Sequence, residues 1–86
     1  SGALSLRVSG WDESLTRALE EMDLVRSVAV EQQPDGDTTV DALVDSTGDA
    51  IAQIAPYLAT RTVLREIRTR EVTFGDVYRS LLEQLV

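Results

Sequence analysis

The chain has 86 residues, 43% hydrophobic and 27% charged, with a net charge of −7 and neither cysteine nor histidine. That length and balance fit one globular domain with a thin core, and the negative charge disfavours free nucleic acid, whose phosphates need net neutralisation. The missing residue types exclude disulfides, thiolate chemistry, the usual zinc sets and a Ser-His pair.

All eight basic residues are Arg. A Schiff-base lysine and a phosphate-binding G-x-x-x-x-G-K-[ST] loop are therefore excluded as well. No apolar run approaches a membrane span, and no signal peptide is visible. Ser1-Gly2 reads as a tag remnant or cut site, and residues 1–86 as a single domain cut from something longer.

In chain order, residues 4–8 (LSLRV) place Leu4, Leu6 and Val8 on one face of a half-buried strand. Trp11, Leu15, Ala18, Leu19 and Met22 then recur at helical spacing, with Asp12 and Glu13 in the first turn, which predicts a helix over 12–24. Residues 26–32 alternate again, with Val28 and Val30 together. QPDGD at 33–37 is a turn signal, and TTVDALVD at 38–45 completes a β-hairpin.

STGD at 46–49 opens a second helix with Ile51, Ile54, Ala55 and Leu58 buried. Pro56 inside it removes a backbone bond, so a kink or a late re-formed helix is expected. Residues 62–71 read as a strand of incomplete alternation, with Val63 and Ile67 sharing a face with Arg65 and Thr69. Thr73 with Asp76 resembles a capping box, and Phe74, Val77, Tyr78, Leu81 and Leu85 line a last helix.

The order β-α-β-β-α-β-α predicts an α+β, ferredoxin-like βαββαβ fold. It is a four-stranded antiparallel sheet with two helices on one face, plus an added C-terminal helix.

The candidate sites are few. Asp35, Asp37 and Asp41 cluster in the hairpin, but the calcium-loop positions are wrong: counting from Asp35, Val40 stands where Gly is needed and Ser46 where Glu is needed. They read as a solvated turn. Glu20, Glu21 and Asp23 read as the wet face of the first helix rather than as acid-base groups. The aromatics Trp11, Tyr57, Phe74 and Tyr78 fall at or within helices, not on the central strands where an RNA-recognition module stacks bases. The Arg run is the sharper candidate. Arg65, Arg68 and Arg70 lie on one strand of an acidic protein, and Arg suits interfaces through planar contacts with carboxylates. The plainer reading is a solvated strand face balanced by acids such as Glu66 and Glu71.

The stretch RTREVTFGDVYRSLL carries a resemblance. It is similar to the end of ATP-binding subunits of ABC transporters of the drug-exporter, daunorubicin-resistance type, where a strand ending Arg-Glu-Pro precedes Ser/Thr-Leu-Glu-Asp-Val-Phe. Arg70, Glu71, Thr73, Asp76 and Val77 match; Val72 replaces Pro, Phe74 replaces Leu, Gly75 replaces Glu and Tyr78 replaces Phe. LSLRVSGWDESLTRALEEMDLVRSVAV shares the family's strand-helix-strand rhythm. The resemblance implies a non-catalytic C-terminal accessory domain of a longer ATPase subunit. It would have no cofactor of its own, with ATP and Mg in the parent's upstream motifs. The implied partners are the upstream ATPase domain, a second copy of the subunit and the membrane permease. The implied location is cytoplasmic, at the inner face of the membrane, with no direct insertion. Arg65, Arg68, Arg70, Leu81 and Leu85 are then the candidate interface. A second class of function is a small-ligand sensor resembling ACT domains, which share the element order and carry Gly in the first strand-helix loop, where Gly10 stands.

Overall fold

The computed structural model describes residues 2–70 and 74–85, with 74–77 and 80 described in backbone only. The elements are β1 (Gly2–Ser9), α1 (Glu13–Glu20), β2 (Val25–Gln32), β3 (Thr38–Val44), α2 (Thr47–Ala59), β4 (Val63–Arg70) and α3 (Phe74–Leu85). The strands form one sheet of order β2-β3-β1-β4, antiparallel at every pairing. This is the ferredoxin-like βαββαβ arrangement with an appended helix.

Alternation decides which side is buried. Leu4 and Leu6 of β1 register with Ala42 and Val40 of β3, and Val8 with buried Thr38, so the apolar residues form one continuous layer. Leu15 and Leu19 of α1 and Ala50, Ile54 and Leu58 of α2 close over it. A fully buried Leu or Ile contributes about 1.5–3 kcal/mol relative to exposure, so this layer is the main source of stability.

α1 starts where its cap dictates. The Asp12 carboxylate accepts from the backbone N–H of Ser14 at 2.8 Å and of Leu15 at 3.4 Å. The helix is shorter than the expected 12–24. Successive tight turns, with Met22 N–H donating to Leu19 O and Val25 N–H to Met22 O, release the chain into β2. Met22 still packs on the core from outside the helix. α2 is capped by Ser46, whose hydroxyl accepts from Asp49 N–H at 3.4 Å. It runs unbroken from Thr47 to Ala59 through Pro56, so no late re-formed helix is needed. Pro56 is exposed near the end of the helix, where the lost bond leaves the earlier turns intact.

β4 corrects the expected alternation. A register shift opposite Arg7 and Val8 inserts a bulge, so that Leu64 and Ile67, three apart, both pack on the core, while Val63 is left 58% exposed. Arg65 is the extra residue.

On the other side of the sheet, Ala3, Leu43 and Ser27 form a row across β1, β3 and β2 and are 0%, 7% and 2% exposed. α1 covers β2 on the first face, and α3 also contacts β2. The expected capping box of Thr73 with Asp76, Glu71 of the strand end, and the side chains of Phe74 and Val77 lie outside the described residues. Among the described residues no helix is long and apolar enough to cross a membrane.

Candidate functional site

The second face of the sheet gathers the charged side chains. It is organised by the β2–β3 loop. Gly36 N–H donates to Gln33 O, closing a turn with Pro34 and Asp35 at its centre, and Gln33 N–H donates to Asp37 O at 2.8 Å. Gly36 follows at φ +89°, the left-handed conformation that glycine adopts without steric cost. The Asp35 side chain accepts from Asp37 N–H at 2.9 Å, which folds the loop on itself.

That loop presents two carboxylates to Arg7 of β1. Arg7 Nε donates to Asp37 Oδ2 at 2.8 Å and Nη2 to Asp35 Oδ2 at 2.5 Å. The bulge in β4 aims Arg65 at the other oxygen of Asp37, with Nε to Oδ1 at 3.1 Å. Asp37 is thus bridged on both oxygens, and its side chain is only 10% exposed against 51% for each arginine. Further along, Arg70 Nε donates to Asp41 Oδ1 at 3.2 Å, and Arg68 lies 3.3 Å from Glu66.

The electrostatics follow the hydrogen bonds. Arg7 is held above its ordinary value, first by the bond to Asp37 and then by the charges of Asp35 and Asp37. Asp35 is held below 3.8, first by the Asp37 N–H, against a desolvation opposing it, and then by Arg7.

Two groups that read separately in the sequence are therefore one constellation. The hairpin aspartates and the β4 arginines neutralise each other across β1. Among the described residues no group of three or more acidic side chains could hold a metal ion. Glu20, Glu21 and Asp23 are exposed beyond or at the end of α1.

Arg7 is the member that sequence reasoning misses. Its position in the alternation of β1 puts it on the second face, but only the register shows that it stands between Thr39 and Glu66, beside the loop. Arg65 pairs with Asp37 of the β2–β3 loop rather than with neighbouring Glu66, and Arg70 pairs with Asp41 of β3; Glu71 lies outside the described residues. Arg68 does use Glu66.

The candidate interface residues do not form one patch. Arg65 and Arg68 stand on the β4 edge, with Arg68 the most exposed at 70%. Leu81 and Leu85, 53% and 83% exposed, stand on α3, whose principal sheet contact is β2, at the opposite edge. Tyr78 is exposed on the same helix, at 59%.

A second feature lies on the helix side at the β2 edge. Trp11, Asp12, Glu13, Thr16, Val28, Val30 and Gln32 line an open concavity of about 380 Å³. Trp11 is fixed by its indole N–H, which donates to Thr16 Oγ1 at 2.9 Å. It directly follows Gly10, whose φ is +83°.

No protein-family model matches the chain, and no curated protein does.

Proposed function

We propose that the chain is a non-catalytic interaction domain of an ABC-exporter ATP-binding subunit, acting in assembly of the ATPase pair or its coupling to the membrane permease. In that setting it works in the cytoplasm, at the inner face of the membrane. The observation that carries this reading is how the chemistry-bearing side chains are used. The carboxylates and guanidiniums of the second face hold one another in place, while guanidinium Arg68 and the apolar side chains of α3 are presented outward. That is a surface for contact rather than a cleft for turnover. The motif from Arg70 to Tyr78, which resembles the exporter family, runs from the edge of that network into α3.

The test uses the parent subunit with Arg68→Glu and, separately, Leu85→Glu. Both positions are exposed, so the fold is retained. The expected result is weakened subunit assembly or altered ATPase rate, with an unchanged melting temperature. Unchanged assembly and rate in both variants would sink the reading. Arg65 and Arg70 are poorer probes, because their reversal also disrupts Asp37 and Asp41.

The concavity beside Gly10 favours a second reading, a small-ligand sensor resembling ACT domains. A thermal-shift screen with amino acids separates the two, since a ligand that binds only the native state raises its melting temperature.

A further inference from the structure

The concavity at the β2 edge brings together side chains that the exporter reading does not use. Trp11 packs on the core while lining the hollow. The bond from its indole N–H to Thr16 Oγ1 fixes the ring in place. Val28 and Val30 of β2 supply an apolar wall, and Val30 is 39% exposed there. Asp12 and Glu13 line the hollow too, and both are exposed.

The carboxylates of the second face each have an arginine: Asp35 and Asp37 have Arg7, and Asp41 has Arg70. Those of the hollow do not. None of the described residues lining it is basic. Asp12 caps α1 through Oδ1, which accepts from the N–H of Ser14 and of Leu15, and among the described residues its Oδ2 has no hydrogen-bond partner. Glu13 has no hydrogen bond or ion pair among them.

A fixed aromatic ring, an apolar wall and two uncompensated carboxylates select a ligand with a positive charge and an apolar body. The ring attracts a cation through its quadrupole, and the carboxylates attract it by charge. A free amino acid fits less well. Its carboxylate would meet Asp12 and Glu13, and the N–H groups of Ser14 and Leu15 that could receive it already donate to Asp12.

We propose that this concavity binds a small organic ammonium ion that has an apolar body and no carboxylate. The cationic end lies between the Trp11 ring and the carboxylates of Asp12 and Glu13, and the body lies against Val28 and Val30. The concavity is shared with the sensor reading; the ligand class is not. The site stands apart from the exporter resemblance.

Trp11 is the chain's only tryptophan, so its fluorescence reads the site directly. The probes are phenethylamine, phenylalanine, which adds a carboxylate to it, and phenethyl alcohol, in which a hydroxyl replaces the ammonium. The expected result is a saturable change in Trp11 emission with phenethylamine, with Kd on the order of 1 mM for so open a site, and binding about tenfold weaker for the other two. Glu13→Gln should weaken phenethylamine about fivefold, and so should Asp12→Asn, which keeps a capping oxygen. Glu20→Gln, an exposed carboxylate at the far end of α1, should leave it unchanged. A melting temperature raised by phenethylamine is a readout independent of fluorescence.

Neither a saturable change nor a raised melting temperature with phenethylamine overturns the proposal. Phenylalanine binding as tightly as phenethylamine also overturns it and leaves the amino-acid sensor standing. Phenethyl alcohol binding as tightly reduces the hollow to an apolar contact, and equal weakening by Glu20→Gln reduces it to attraction by the net charge of −7; either overturns the proposal. The Arg68 and Leu85 experiment in the parent subunit decides the exporter reading separately.

Discussion

The two faces of the sheet are stabilised by different physics. The face under α1 and α2 is a dry layer in which Leu4, Leu6, Val40, Ile54 and Leu58 are at most 1% exposed. The other face buries only the short row of Ala3, Leu43 and Ser27 and is otherwise occupied by paired charges, of which only Asp37 is nearly buried. Burial scales with apolar area and is not subject to titration or charge screening, whereas half-exposed ion pairs are weak and conditional. The first face makes the domain fold. The second shapes what it presents.

Substitutions that strip one face or the other sharpen this contrast. Ile54→Ala should cost most, about 2–5 kcal/mol by chemical denaturation, because it leaves a cavity in a closed layer. Asp37→Ala should cost less, roughly 1–2 kcal/mol, since two guanidiniums lose a shared acceptor but both are half-exposed and can turn to water. A loss for Asp37→Ala as large as for Ile54→Ala would break the comparison. Gly36→Ala should cost about 1 kcal/mol, because nothing crowds the site and only the left-handed backbone is penalised.

The pH response belongs to the second face. A carboxylate depressed in the folded state adds stability that is full above its unfolded value and is lost as pH falls through its folded one. Asp35 is held below 3.8, so its contribution should fade as pH drops beneath that value. Thermal melts through that range should show a smaller drop for Asp35→Asn than for the parent chain. An identical drop would mean that the Arg7–Asp35 link is not felt. Smallest of all, Arg68→Glu should leave the melting temperature nearly unchanged, because its pairing with Glu66 is exposed.

The helix face was legible in the sequence because each element carries its own period: Leu4, Leu6 and Val8 at two, and Ile54 and Leu58 at four. Element order and the hairpin followed from the same local signals. The second face was not, because its partnerships are between strands. Arg65 gave away only that the alternation of β4 fails. The bulge that repairs it, and the Asp37 it is aimed at, depend on the register of β4 against β1. The Asp-Gly turn was visible, yet its aspartates read as solvated until Arg7 was placed beside them. The α1 boundary was overread because Met22 continues the apolar spacing after the helix has ended.

The most direct test of the functional claim is the coding sequence immediately upstream of Ser1. If the chain is the accessory domain of an exporter ATPase, the reading frame continues upstream into an ATPase core with a G-x-x-x-x-G-K-[ST] loop between a strand and a helix. A start codon at that point, or an unrelated domain, would contradict the exporter assignment.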